Sequence, residues 1–168
     1  MLGLEKGIVQ LRDYTPVWAD LFESEAAEIR RVLGDLALDV EHVGSTSVPG
    51  LKAKPILDIA VAVSTLGDLP QFETALGLIG YEYAHWAGIE NNLVFGKGVA
   101  RTHLVHVVEQ DSVGWRDYIQ FRTVLRENPE VAREYERIKV LLAQRYPDNR
   151  ATYTDEKKQF INRVLAAQ

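Results

Sequence analysis

Residues 42–59 read His42-Val43-Gly44-Ser45-Thr46-Ser47-Val48-Pro49-Gly50-Leu51-Lys52-Ala53-Lys54-Pro55-Ile56-Leu57-Asp58-Ile59, and the fold turns on this stretch. A short strand over 39–43 runs into a Gly44-Ser45-Thr46-Ser47 turn. Residues 55–63 then form a nearly continuous apolar run with one charge, the pattern of a strand covered on both faces. A strand that ends in Gly-Ser-Thr offers unpaired backbone N–H groups and two hydroxyls, which suits a phosphate or a triphosphate tail. Gly44 lets the backbone approach a ligand with no Cβ in the way. Gly44, Ser45 and Thr46 are therefore candidate ligand contacts, although most turns of this kind bind only water.

Asp58 gives the stretch its weight. A carboxylate inside an apolar strand is costly unless it is paired or ligates a metal. Two readings follow. Asp58 is a catalytic or metal-binding group, or it is satisfied by a neighbouring lysine, with Lys52 and Lys54 at hand.

Outward from this stretch, helical spacing of Val17, Trp18, Leu21, Phe22, Ala26, Ile29 and Leu33 predicts an N-terminal helix that stops at Gly34, with Thr15 as its cap and Pro16 at its first position. A helix over 69–78 and strands over 81–84, 91–96 and 101–109 follow. Helices over roughly 112–127, 129–146 and 153–166 complete the chain, separated by Asn128-Pro129 and by Tyr146-Pro147-Asp148-Asn149. The order predicts a single α+β domain over 1–168, with a mixed sheet of four to five strands, an N-terminal helix and a C-terminal helical layer. Strict strand–helix alternation is missing, so the doubly wound class is excluded. Trp18, Phe22, Trp86 and Trp115 are expected to cover the core or the sheet.

The strand over 101–109 carries two histidines. His103 and His106 differ by three, so strand alternation puts them on opposite faces. Either imidazole can join Asp58 in a single-metal site; His106 can also serve as a general base, and both remain open as plain hydrogen-bonded strand histidines. Glu41 is a weaker carboxylate candidate and is expected in solvent. Arg101 opens the same strand and can reach a phosphate from its end. Tyr135 and Lys139, and Tyr153 and Lys157, each lie four apart on one helix face. Such a pair can stack a base and neutralise a phosphate, or it is a core-edge Tyr with a snorkelling Lys. Asn92 carries no distinctive signal.

Composition narrows the field. The chain has 168 residues, 46% hydrophobic and 26% charged, with no cysteine. That balance is globular, and the lack of cysteine removes disulfides, thiolate nucleophiles and cysteine-ligated metals. No apolar run has the length of a membrane span and the first residues lack a signal-peptide layout, so a cytoplasmic location is expected. The formal net charge of −5 argues against a nucleic-acid partner. Residues 1–110 hold 8 basic and 15 acidic side chains and residues 111–168 hold 11 and 9, so an anionic ligand is expected to draw most of its cations from the C-terminal third. P-loop, dinucleotide-binding, nucleophile-elbow and zinc-protease motifs are all absent.

Several segments together resemble the GrpB family. The 42–59 stretch is similar to that family's central motif, and Asp13-Tyr14-Thr15-Pro16-Val17-Trp18 to its opening. His103-Leu104-Val105-His106-Val107-Val108, Trp115, Phe121-Arg122, Tyr135 with Lys139 and Tyr153 with Lys157 follow its C-terminal pattern. The resemblance spans essentially the whole chain. It implies a nucleotidyltransferase-like fold, in which Gly44 and Ser45 match a triphosphate-binding turn and Asp58 the first of two metal-binding carboxylates. It also draws Tyr153 and Lys157 towards the site. The implied function is binding of a nucleotide or other phosphorylated small molecule, with nucleotidyl transfer on Mg²⁺ or Mn²⁺ if the protein is an active enzyme. The second carboxylate position is Ala60, a departure that bears on two-metal chemistry. The alternative is a catalytically inactive ligand-binding or helper module on the same fold.

Overall fold

The computed structural model describes residues 1–85 and 90–168, so the expectation for Trp86 lies outside the described residues. Five helices accompany five strands: α1 (Val17–Leu33), β1 (Asp39–Val43), β2 (Leu57–Val63), α2 (Leu69–Gly77), β3 (Tyr81–Tyr83), β4 (Leu93–Lys97), β5 (His103–Glu109), α3 (Val113–Glu127), α4 (Pro129–Arg145) and α5 (Arg150–Ala166). The α+β order expected from the sequence is the order found. Among the described residues, no helix is long and apolar enough to cross a membrane.

The strands make one mixed sheet in the order β1-β2-β5-β4-β3. β2 runs parallel to β5, and the other three pairings are antiparallel. β2 lies inside the sheet, between β1 and β5, which explains its apolar composition. Its odd-numbered residues Leu57, Ile59, Val61 and Val63 point into a core completed by Val105, Val107 and Phe95 and covered by α1 and α2. From α1 come Trp18, Phe22, Ala26, Ile29 and Leu33, the stripe that the spacing predicts, and from α2 Phe72 and Leu76. Each fully buried Val, Leu, Ile or Phe among them contributes about 1.5–3 kcal/mol. Pro16 itself bounds α1. Thr15 lies one residue outside, its Oγ1 3.4 Å from the Val17 amide, and it does not cap the helix as expected.

The other face of the sheet carries Asp58, Ala60, Leu104 and His106, because β2 and β5 pair Asp58 with Leu104 and Ala60 with His106. Helix α3 lies against this face. A second apolar cluster joins Val48 and Leu51, just after the Gly-Ser turn, to Val124 and Leu125 of α3, Tyr135 of α4, and Phe160 and Val164 of α5. The C-terminal helices thus hold the segment that leads from the turn to β2. Trp115 is only half-buried, beside a groove it shares with Ile119 and Val124, and so is not a core residue. Helix α5 starts three residues earlier than its spacing suggests, since Asn149 caps it by accepting from the Thr152 amide at 3.1 Å. The N-terminal segment bridges to Arg101 and Ala53. Arg150 secures it by donating to the carbonyls of Glu5 and Ile8.

Candidate functional site

Gly44 shapes the site. Its φ of 69° and ψ of −173° are open to glycine and strained for other residues, and a Cβ there would come within 2.6 Å of Asp58 Oδ2. The missing side chain therefore lets the turn lie directly against the Asp58 carboxylate. A single 3₁₀ turn, Ser45–Ser47, follows. Thr46 and Ser47 are buried; the Thr46 hydroxyl meets His42 Nε2 at 2.9 Å, and the Ser47 hydroxyl donates to the Gly44 carbonyl at 2.6 Å. Thr46 thereby points to His42 on the core face, and Ser45 carries the hydroxyl on the Lys139 side.

Helix α3 holds this loop in place. Arg122 pairs with Glu41 and donates to the His42 carbonyl at 2.8 Å, while Arg126 donates twice to the Ser47 carbonyl. Glu41, expected in solvent, is thus an ion-pair partner. His42 stacks on Phe22, and burial, helped by the Arg126 and Arg122 charges, pushes its pKa down to about 4. It is neutral at ordinary pH, a structural imidazole inside the motif.

Asp58 is less buried than its apolar neighbours imply. Its side chain is 32% exposed, because the sheet face opens at that point. His106 Nε2 stands 3.4 Å from Oδ1. The Tyr118 hydroxyl of α3 lies 3.0 Å from His106 Nδ1, and the Asn92 amide donates to that hydroxyl at 2.8 Å. One assignment of protons satisfies the chain: Asn92 to Tyr118, Tyr118 to Nδ1, and Nε2–H to Asp58. Desolvation raises the Asp58 pKa, but the His106 hydrogen bond and the nearby Lys54 and Lys157 outweigh it and hold the carboxyl below its usual range. Burial likewise raises the Tyr118 phenol. Tyr118 and Asn92 escaped the sequence reading. Asn92 sits in a plain polar pair, and Tyr118 marks no motif, so only the fold brings them to His106.

His103 requires a correction. It stands on the core face with Glu25 of α1, 3.9 Å from its carboxylate, and with Tyr81. Strand alternation keeps it away from Asp58, and β5 has no bulge in this register. Of the two histidines, His106 alone shares the face of Asp58.

Cations surround the carboxylate. The Lys139 side chain is 1% exposed; its ammonium donates to Ser45 Oγ at 2.9 Å and to the Lys52 carbonyl, and it lies 4.7 Å from the centre of the Tyr135 ring. Lys54 and Lys157 both stand over Tyr153, at 5.3 and 5.0 Å. Burial and the Lys157 charge lower the Lys54 pKa to about 7, and burial lowers that of Lys139 well below its ordinary value. Burial also opposes the Lys157 charge, but Tyr135, Tyr153 and Asp58 outweigh it and raise its pKa. The Arg101 guanidinium lies over Gly96, in the space a Cβ would fill, and so occupies the Asp58 face beyond β5. Lys52, the other candidate partner of Asp58, is paired with Asp13 instead. The cations come from both parts of the chain, Lys54 and Arg101 before residue 110 and Lys139 and Lys157 after it, and not chiefly from the C-terminal third.

The donor set does not fit a two-metal centre. Ala60 is fully buried, Glu41 is tied to Arg122, and among the described residues no group of three or more His, Asp or Glu side chains converges to hold an ion.

Comparisons with known proteins give the family and the fold. The family model described as GrpB protein matches residues 8–167. The glutamate-rich protein GrpB of Alkalihalophilus pseudofirmus is 38% identical over 98% of this chain and 98% of its own length. YqkA of Bacillus subtilis is 34% identical over 91% of this chain, which spans 45% of that longer protein. Among solved structures, GrpB from Enterococcus faecalis superposes with a TM-score of 0.83 at 36% identity, covering 94% of this chain and 98% of that one. The Cid1 poly(U) polymerase bound to MgATP superposes with a TM-score of 0.52 at 16% identity, over 79% of this chain and 44% of that one. The fold is nucleotidyltransferase-like α+β.

Proposed function

The chain belongs to the GrpB family, and on that premise we propose that it binds a nucleotide or other phosphorylated small molecule between the Gly44-Ser45 turn and the lysines of α4 and α5. One observation carries the reading: Lys139, Lys54 and Lys157 gather around Ser45 and Tyr153 beside a single carboxylate. Lysine ammonium groups are compact charges suited to phosphate oxygens, and a Tyr face tolerates any base. Gly44, Ser45, Lys54, Lys139, Tyr153 and Lys157 would form the ligand contacts, with Arg101 at the rim. Thr46 would support the turn from behind. The role is that of a ligand-binding or helper module in the cytoplasm, with no membrane or nucleic-acid partner.

A second reading is nucleotidyl transfer, with Mg²⁺ or Mn²⁺ on Asp58 and His106 as its cofactor. The approach of His106 to Asp58 favours it, and the buried alanine at position 60 weighs against it. The test is a thermal-shift panel of nucleoside mono-, di- and triphosphates with and without Mg²⁺ or Mn²⁺. A ligand at a hundredfold excess over its Kd stabilises the native state by about 2.7 kcal/mol. A shift that Ser45→Ala abolishes is expected; no shift with any nucleotide or sugar phosphate would sink the proposal. Release of pyrophosphate from a bound triphosphate would establish the second reading.

A further inference from the structure

We infer that this site takes its phosphate ligand free of divalent metal, with the ammonium groups of Lys54 and Lys157 and the Arg101 guanidinium neutralising the charge. The inference rests on the phosphate-binding reading above and says how that ligand is held.

One Asp58 oxygen, Oδ1, faces His106 Nε2 at 3.4 Å, and the other, Oδ2, lies against the Gly44 backbone. Ala60, one position along the same face, has no accessible surface through which a carboxylate in its place could reach an ion. Glu41, which pairs with Ala60 across β1 and β2, is held by Arg122. A divalent ion would therefore find one carboxylate and one imidazole as its protein ligands. It would also sit among cations that repel it.

The charge count points the other way. Among the described residues, no carboxylate forms an ion pair with Lys54, Lys157 or Arg101, and both lysine ammonium groups stand over the Tyr153 ring. Lys139 adds a third ammonium at Ser45. Once an anion has entered and drawn protons onto the lysines, three ammonium groups and one guanidinium stand against a single Asp. A phosphate dianion or a metal-free polyphosphate balances that charge, and a metal-chelated one balances less of it, because the ion cancels part of the ligand's charge first.

Calorimetric titration of the protein with inorganic triphosphate and with ATP, in excess EDTA and in excess Mg²⁺, tests this. Binding in EDTA is expected to be as tight as in Mg²⁺ or tighter. Lys54→Met and Lys157→Met should each weaken it about tenfold in EDTA, the loss of a charge-assisted contact, with no rescue by Mg²⁺. Lys158→Met, on the exposed side of α5 and paired with Asp155, should bind as the parent does and controls for folding. Binding that requires Mg²⁺ or Mn²⁺ would overturn the inference and leave the phosphate-binding reading intact. Binding in EDTA that ignores both lysine substitutions would also overturn it, since the anion then sits elsewhere. Absence of binding in either medium would remove the phosphate-binding reading, and the inference with it.

Discussion

At the scale of single residues, Gly44 is the position where backbone and site depend on each other. It combines a backbone conformation confined to glycine with a contact that leaves no space for a methyl group. Gly44→Ala is expected to cost about 1–3 kcal/mol from the backbone alone. Displacement of Asp58 should add to that cost and weaken any ligand. Gly77→Ala, at the end of α2 in open space, should be neutral or stabilising by about 0.5–1 kcal/mol. Denaturant midpoints of the two variants make the comparison, and equal midpoints would mean that Gly44 is not constrained. The central motif made Gly44, Ser45 and Asp58 legible. It could not reveal that Lys139, ninety-four residues from Ser45, would supply the ammonium at its hydroxyl.

At the scale of elements, α3 acts as a clamp on β1 and the Gly-Ser turn. Arg122 grips Glu41 and the His42 carbonyl, and Arg126 grips the Ser47 carbonyl. Arg122→Met should destabilise by about 1–3 kcal/mol, because it strands a partly buried carboxylate and a carbonyl. Glu41→Gln should cost less, and the double variant less than the sum of the two, since both remove one interaction. Chemical denaturation of all four proteins closes the cycle, and strict additivity would show that the ion pair does not couple helix to strand. The element pattern itself was readable. Apolar residues at spacing three and four gave α1, and a two-sided apolar run gave β2, because burial of one helix stripe or of both strand faces leaves that imprint. Boundaries slipped where a polar side chain took an unforeseen capping part, as Asn149 does for α5.

At the scale of the whole molecule, the lysine cluster should leave a mark on stability against pH. Folding lowers the Lys54 pKa from its ordinary 10.5 to about 7, first through burial and then through Lys157 and Arg150, with Asp58 opposing. Between those values the unfolded chain binds the proton and the folded one does not, so stability rises with pH across the window from about 7 to 10.5. Lys139 acts in the same direction. Lys157, whose pKa is raised, contributes stability that is lost only above its ordinary 10.5. Melting temperatures at the two ends of the window should differ more for the parent than for Lys54→Met. An unchanged pH slope in that variant would show that Lys54 is charged throughout.

The α+β order, the doubly covered strand over 55–63, the family resemblance and the turn with Asp58 are all legible along the chain, because each is written in local spacing or in a contiguous run. Which residues meet is settled by the folded arrangement. Strand pairing put His106 beside Asp58 and kept His103 on the far face. The docking of α3 supplied Tyr118 and covered Ala60, and α4 and α5 delivered Lys139 and Lys157 to a loop far from them in the chain. Such meetings depend on sheet order and helix packing, which join residues distant in sequence and leave no periodic trace along it.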